Sequence, residues 1–500
     1  MGEVRANVSL KRLVVAVVAL VVISAAALGL ISGALGTGFS ADSSVGRENG
    51  PSGTPGGPPS GAATDSPPPS PDSDAPSPGV SNTTPAPFPT ELPRSVLQPA
   101  PPGDRPEAAT VAARIRSVSR AGVGGVYSGS VVDVGTGKTL FAHRAEAAEI
   151  PASVNKLLTS AAVLSMLGPE HRFTTSVVAS GKKQIILVGG GDPYLATRTT
   201  ASTYPARASV ADLAKKTAAA LKKAKRTSVT LGYDAGLFAG PAWNPTWPSG
   251  YGDQVTPTSA LWVDEGRLAG GSPGPRTSDP AGQAAKAFAA ALRRQGIKVT
   301  DVAEADAAKG DPRIAAVSSM PLERIVEQVL MSSDNDGAEV LFRQVALAGG
   351  RSGSIIEGRR QIKVTLTELG AWHPDTVVRD GSGLSRDNRI GANTLSRLLR
   401  LAATGDHAQL RALITGLPVA GVEGSLKGRF SADDTVAARG MVRGKTGTLR
   451  QVHSLAGFLR TTDGTLVAYA FITNGATGEF AAKTWLDRVA ASVAGCGCSG

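Results

Sequence analysis

From Gly36 to about Asp104 the sequence collapses to Pro, Ser, Gly, Ala and Thr, in phrases such as GPSGTPGGPPSG and SPPPSPDSDAPSPG. Such a stretch buries too little apolar surface to offset the entropy of ordering it, so it is predicted to be a disordered or polyproline-like tether. Fully extended it would reach on the order of 200 Å at ~3.1 Å per residue, and a coil-like average is several times shorter. The tether divides the chain: a folded part must follow residue 104, and whatever precedes residue 36 is held apart from it.

What precedes the tether is apolar. Leu13 to Leu35 is an almost unbroken hydrophobic run of 23 residues, about 34 Å long as a helix against a hydrocarbon core of ~30 Å. Arg5, Lys11 and Arg12 stand before the run, while the next fifty residues hold almost no basic ones. Positive charge stays inside, so residues 1–12 are expected in the cytoplasm and everything after residue 35 outside it. A cleaved signal peptide would have an apolar core of ~7 to 15 residues and a small-x-small cleavage site. Here the run is longer, and near Ala41 the site is spoiled by Phe39. The expectation is an uncleaved anchor over 13–35, with secretion as the alternative if the segment is removed.

At 500 residues the chain allows two or three folded units. Its formal net charge of +11 suits work near anionic polymers or lipid without naming one. The run Lys215 to Arg226 (KKTAAALKKAKR) reads as the wet face of an amphipathic helix, because no aromatic residues interleave as in a nucleic-acid patch. Both cysteines, Cys496 and Cys498, sit at the end, which excludes a fold-stapling framework and leaves a tight local bridge, an intermolecular bridge and free thiols open. The five histidines are scattered without metal-ligand spacing, so no metal or cofactor is expected.

Chemistry is suggested by the segment PASVNKLLTS, residues 151–160. Residues 126–134 and 138–143, joined by a Gly-Thr-Gly turn, read as a β-hairpin that delivers the chain to it. Leu157, Leu158, Ala161, Val163 and Leu164 follow at helical spacing until Gly168-Pro169 stops the helix. Ser153 would lie at the helix amino terminus and Lys156 one turn later on the same face. A lysine pushed towards neutrality by burial serves as a base for a serine nucleophile. Alone this pattern is weak and reads first as a plain helix cap, and Ser180 to Lys183 repeats it in a turn. Two further fragments change the balance: Ser333-Asp334-Asn335 between two helix-like runs, and Lys445-Thr446-Gly447-Thr448 leading into strand-like LAGFLR. Separately, the first is a good cap cluster and the second a possible hairpin turn. Together, in the order SxxK, SxN, KTG, they are hard to produce by coincidence.

The ordered triple resembles the penicillin-binding serine acyl-transferases and serine β-lactamases. Segments 187–195, 379–390 and 417–429, with the separation of about 180 residues between Ser153 and Ser333, narrow the likeness to the class C low-molecular-mass penicillin-binding proteins, the D-alanyl-D-alanine carboxypeptidases and endopeptidases. That resemblance covers roughly residues 105–495. It implies an α+β penicillin-binding/β-lactamase-like transpeptidase fold, an antiparallel sheet flanked by helices, over 105–169 and 316–495, split by a smaller β-rich insertion over 170–315. By resemblance Ser153 is the acylating nucleophile, Lys156 its base, and Ser333 the proton relay to the departing amine. Asn335 would bind the substrate amide, and Lys445 with Thr446 and Thr448 the terminal carboxylate. Gly447 would let the substrate backbone lie against the strand edge, and the backbone N–H groups of Ser153 and Thr448 would hold the oxyanion. The implied partners are peptidoglycan stem peptides and β-lactams, the latter as covalent inhibitors, with no nucleic acid.

A serine β-lactamase shares the triple but would be shorter, and no ExxLN-like segment is found. A non-catalytic wall-binding protein has no need of three intact motifs. Three other features read as structural: Gly270 to Gly274 (GxSxG) as a loop; Trp243, Trp247, Tyr251 and Trp262 as packing of a long loop under the insertion, with the lining of a glycan or stem-peptide cleft as the alternative; and Asp380 to Arg389 as a glycine-rich loop, with a role in lining the site as the sharper reading.

Overall fold

The computed structural model describes residues 105–199 and 205–497. The apolar run and the tether lie outside the described residues, and among these no helix is long and apolar enough to cross a membrane. The chain enters through α1 (Ala108–Ser117), then the predicted hairpin forms as β1 (Val126–Asp133) and β2 (Thr139–His143). A 3-10 turn, Ala152–Asn155, leads into α2 (Lys156–Leu167). Next come β3 (Thr174–Ser180), β4 (Gln184–Val188), α3 (Val210–Lys223), β5 (Ser228–Asp234), α4 (Pro280–Arg294), β6 (Lys298–Glu304) and β7 (Arg313–Ser318). Four helices follow: α5 (Leu322–Ser332), α6 (Asn335–Ala348), α7 (Ile355–Glu368) and α8 (Ala392–Ala403). The last elements are β8 (Val442–Leu449), β9 (Val452–Arg460), β10 (Leu466–Asn474) and α9 (Glu479–Ala494).

The strands form two sheets. The first, ordered β2-β1-β10-β9-β8, is antiparallel throughout and joins the two ends of the described chain. Its central strand shows why helices cover both faces. In β10, Val467, Tyr469 and Phe471 pack with Trp485 and Val489 of α9, while the alternate Ala468, Ala470 and Ile472 pack with Leu395 and Leu398 of α8. A strand apolar at both parities must be buried on both sides. Helix α2 follows the same logic: Leu157, Leu158, Ala161, Ala162, Val163 and Leu164 are all inaccessible, and a helix apolar all round belongs in the interior.

The second sheet, ordered β6-β5-β4-β3-β7, falls between α2 and α5. It is mixed: β4, β5 and β6 run parallel, and β3 is antiparallel to β4 and β7. The parallel strands need crossovers, which α3 and α4 supply. The expected amphipathic helix around Lys215 is thus α3, with Lys215, Lys216, Lys222 and Lys223 exposed. The region also carries a second helix that a β-rich reading does not include. In α4, Asp279 caps the amino terminus by accepting from Gly282 N (2.8 Å), Pro280 opens the first turn, and Phe288 and Leu292 are buried. Residues Arg94–Gly500 form one compact unit, and among the described residues four hydrophobic clusters make its core. Cys496 is buried and disulfide-bonded.

Candidate active site

Ser153 sits in the 3-10 turn ahead of α2, after Ala152 with φ +51°. That left-handed value is costly for a residue with a Cβ and survives only where its surroundings enforce it. The cap reading fails: the cap positions are Pro151 and Asn155, and no side-chain oxygen caps turn or helix. Lys156 is inaccessible, and its Nζ donates to Ser153 Oγ (3.1 Å), Asn335 Oδ1 (2.8 Å) and the Ser382 carbonyl (2.7 Å). Burial lowers its pKa to about 8, against the opposing pull of Asp334, Asp380, Glu339 and Asp336.

The second motif joins two helices. Ser333 ends α5 in the left-handed region (φ +58°), Asp334 caps α6 by accepting from Asp336 N (2.9 Å), and Asn335 is the first helical residue. The cap reading therefore holds for Asp334 while its two neighbours turn to the site. Ser333 Oγ accepts from Lys445 Nζ (2.7 Å), and Asn335 Nδ2 donates to the Gln254 carbonyl (3.0 Å).

The third motif is strand, not turn. Lys445 to Thr448 lie within β8, the edge of the first sheet. Its first half is covered by a bridge from Val419 to Arg443 and by Gly444 N donating to the Pro418 carbonyl (3.0 Å). Lys445 is buried, and burial together with the charge of Lys156 pushes its pKa well down. Thr446 Oγ1 donates to Ser425 Oγ (2.8 Å).

Ser153, Ser333, Asn335, Thr446 and Thr448 line one cleft of about 440 Å³, with Lys156 and Lys445 beneath it. Gly447 is not among the lining residues. A Cβ there would first run into Ser454 Oγ, and would stand 2.8 Å from the Pro151 carbonyl and 3.1 Å from Ser153 N. The missing side chain makes room for the nucleophile's own turn, which Ser454 Oγ also holds by donating to the Pro151 carbonyl (2.7 Å).

Sequence reasoning missed what supports this constellation. Glu339, one turn after Asn335 on α6, accepts from Gly381 N (3.0 Å) and Ser382 N (2.7 Å) and so fixes the carbonyl that receives Lys156. Burial and then Asp380 push its pKa up to about 8. Asp380 gathers the rest of the loop, accepting from Gly383 N (2.9 Å), Ser385 N (2.6 Å), Asn388 Nδ2 (2.8 Å) and Trp247 Nε1 (2.8 Å). The sharper reading of this loop is the observed one, since Leu384 also lines the cleft. The i, i+4 spacing of Asn335 and Glu339 was the available signal.

The region of the second sheet contributes the opposite wall, with Tyr251, Asp253, Gln254, Ser272 and Pro273. Of the aromatic residues, Trp247 and Trp262 are buried packing, while Tyr251 faces the cleft. Ser272 has no base beside it, only Arg276 Nη2 donating at 3.3 Å, so the GxSxG match is a loop at the rim.

A buried lysine hydrogen-bonded to a serine on a helix start, an SxN corner and a KTG edge strand, all on one cleft between helices and an antiparallel sheet, define a serine acyl-transferase of the penicillin-binding type. The family model for D-Ala-D-Ala carboxypeptidase 3 (S13) matches residues 111–271 and 272–494. The chain belongs to that family. It is 34% identical over 428 residues to a carboxypeptidase of Mycobacterium tuberculosis, covering 83% of this chain and 90% of the relative. It is 35% identical over 384 residues to the carboxypeptidase DacB of Mycolicibacterium smegmatis, covering 75% and 81%. The fold matches penicillin binding protein 4 (dacB) from Haemophilus influenzae with a TM-score of 0.63 at 21% identity, over 76% of this chain and 97% of that one.

Proposed function

We propose that the protein hydrolyses D-Ala-D-Ala bonds, and D-Ala crosslinks, of peptidoglycan stem peptides through a serine acyl-enzyme. The observation that carries this reading is the buried Lys156 Nζ, 3.1 Å from Ser153 Oγ. Ser153 Oγ attacks the penultimate D-Ala carbonyl while Lys156 takes its proton. The oxyanion rests between the backbone N–H groups of Ser153 and Thr448. Ser333, bonded to Lys445, hands a proton to the departing amine as the C–N bond breaks, and water then hydrolyses the ester on Ser153. Asn335 binds the substrate amide, and Lys445 with Thr446 and Thr448 receives the terminal carboxylate. β-Lactams mimic the scissile bond and acylate the same oxygen. None of these steps requires a cofactor.

Residues 105–169 and 316–495 form the acyl-transferase domain in this proposal, and 170–315 the insertion. Residues 13–35 anchor the chain, so the enzyme works on the extracytoplasmic face of the membrane at the end of its tether. The deciding experiment is labelling with a fluorescent penicillin, comparing the parent with Ser153→Ala and following how long the label lasts. A persistent adduct that vanishes with Ser153, together with D-Ala release from a stem-peptide analogue reduced by at least about 10⁴-fold in Ser153→Ala, supports the reading. Rapid loss of label points to a β-lactamase, and no label on folded protein to a wall-binding role. Membrane fractionation of the full chain tests the anchor separately.

A further inference from the structure

The charge of the chain is concentrated at one end of the second sheet. Strands β4, β5 and β6 are parallel and in register at their starts, with Gln184 opposite Thr230 and Ser228 opposite Lys298. Their N-terminal ends therefore share one edge with the turn before β4 and with the C-terminal ends of α3 and α4. Lys182, Lys183, Lys222, Lys223, Lys225, Arg226, Arg293, Arg294 and Lys298 all meet there. Local contacts close the cluster: Thr230 N donates to the Lys183 carbonyl (3.0 Å), Lys298 N to the Thr227 carbonyl (2.8 Å), and Arg226 Nη2 to the Gln184 carbonyl (3.2 Å).

Three adjacent strand starts span about 10 Å and a helix layer adds roughly 10 Å, so nine cations crowd a face some 20 to 25 Å across. The stretches that build the face, 181–184, 221–228 and 292–299, contain no acidic residue. Among the described residues none of the nine is ion-paired, and all but Arg226 are exposed. Outside this face, 43 basic residues nearly balance 41 acidic ones, so it carries most of the net charge of +11. The carboxyl ends of two helices account for cations at Lys222, Lys223, Arg293 and Arg294, but not for Lys182, Lys183, Lys225 or Lys298.

The face points away from the catalytic cleft. The segments that follow β4 and β5 dock on α6, with Gln344 Nε2 donating to the Gly190 carbonyl (2.9 Å) and Arg343 Nη1 to the Ala239 carbonyl (2.7 Å). The basic end lies a strand length beyond, roughly 20 Å at ~3.3 Å per residue. We propose that this basic end of the second sheet is a docking surface for an anionic lipid bilayer. Flexible lysines on an open face suit diffuse negative charge rather than one fixed anion. The choice of a bilayer rests on the proposed anchor: the 69 residues after it have the composition expected of a coil, a coil of that length would average roughly 45 Å end to end, and the domain would then be held at high effective concentration beside the membrane. Docked in this way, the second sheet would act as a stand that keeps the cleft a fixed height above the lipid.

The test is co-sedimentation of residues 105–500, which lack the apolar run, with phosphatidylcholine vesicles with and without roughly 30 mol % phosphatidylglycerol. Binding is expected only with the anionic lipid at about 0.05 M salt and is lost near 0.3 M. The quadruple variant Lys182→Glu, Lys183→Glu, Lys222→Glu, Lys223→Glu, with its melting curve checked against the parent, is expected to bind at least a hundredfold more weakly, given roughly fivefold per cation near such a surface. Equal binding to both vesicles, no binding, or a quadruple variant that binds like the parent overturns the proposal. A soluble polyphosphate that displaces the protein from vesicles at equal charge concentration overturns it in favour of a polyanionic polymer. None of these outcomes depends on the acyl-enzyme or on the anchor.

Discussion

Two lysines buried under one cleft set the terms of the chemistry at the scale of single residues. Lys156 holds its proton with a pKa of about 8, so at neutral pH most of it is charged and unable to act as a base. The acylation rate constant for a fluorescent penicillin is expected to rise about tenfold per pH unit below 8 and to level above it; a flat profile from roughly pH 6 to 9 would remove Lys156 as the base. Lys445 is pushed well down by burial and by Lys156. A substrate carboxylate arriving over Lys445 favours its charged form, and that charge in turn drives Lys156 towards the neutral base. Glu339 makes a second, sharper test. With a pKa raised to about 8 it is mainly a neutral acid at pH 7, and glutamine is a close copy of that form. Glu339→Gln is expected to keep kcat/KM within about threefold. Glu339→Ala leaves the N–H groups of Gly381 and Ser382 unpaired at about 1 to 3 kcal/mol each, and is expected to lower kcat/KM by about 10². Equal losses in the two variants would mean that Glu339 works as an anion.

At the scale of elements, the site is where a strand edge, a helix start and a helix corner are pressed together, and Gly447 shows how closely. Gly447→Ala puts a methyl group against the Pro151 carbonyl and Ser153 N. Because β8 is held by β9 along its length, Ser454 Oγ is driven off the Pro151 carbonyl and the nucleophile's turn loses that tie as it meets the methyl. A displacement near 1 Å costs about 10² in rate, so the penicillin acylation rate of Gly447→Ala is expected to fall by that order while the melting temperature drops only by several degrees. Retained acylation would show that the turn has slack. The elements also show what the sequence could reveal. Ser153 and Lys156 lie on one turn, Ser333 and Asn335 flank one helix cap, and Lys445 to Thr448 follow one strand, so each motif was legible as local spacing. Helix α2 and strand β10 were legible because burial on all sides leaves an unbroken apolar pattern. The support of the site was not legible, because it is made by contacts between distant segments. Gln254 reaches Asn335 across 81 residues and Glu339 reaches Ser382 across 43. Gly447 shows the same limit: a glycine in a strand says that something approaches, and only the fold shows that the nucleophile's turn is one such neighbour.

For the whole molecule, burial of carboxyl groups decides how stability changes with pH. Glu265 and Asp336 are pushed up by burial but are ion-paired, with Arg267 (2.8 Å) and Arg276 (3.1 Å), and stand aside from this effect. Among the described residues two buried acids have no such partner: burial raises the pKa of Asp192 to about 7, and burial followed by the charge of Asp380 raises Glu339 to about 8. Each of these acids holds its proton more tightly folded than unfolded. The stability each contributes is complete below an unfolded pKa of about 4 and is lost as pH rises through the folded value. Asp334 runs the other way: burial opposes its charge, but the hydrogen bond with Glu265 and the charge of Arg267 hold it ionised. Lys156, depressed to about 8, favours the folded state only as pH climbs beyond that value. Burial lowers the pKa of His143, His171 and His453, which act in the opposite sense between roughly pH 5 and pH 8, but the acids are shifted further and dominate, so the melting temperature is expected to fall by several degrees across that interval. Over the same interval Lys156 loses its proton and acylation speeds up. Activity and stability thus move in opposite directions with pH, because the low-polarity interior that loosens the proton on the lysine also tightens it on the acids around it. A melting temperature that is flat or rises from pH 5 to 8 would mean that these carboxyl groups are ionised and paired in the folded state, and the glutamine substitution at Glu339 would then be damaging at every pH.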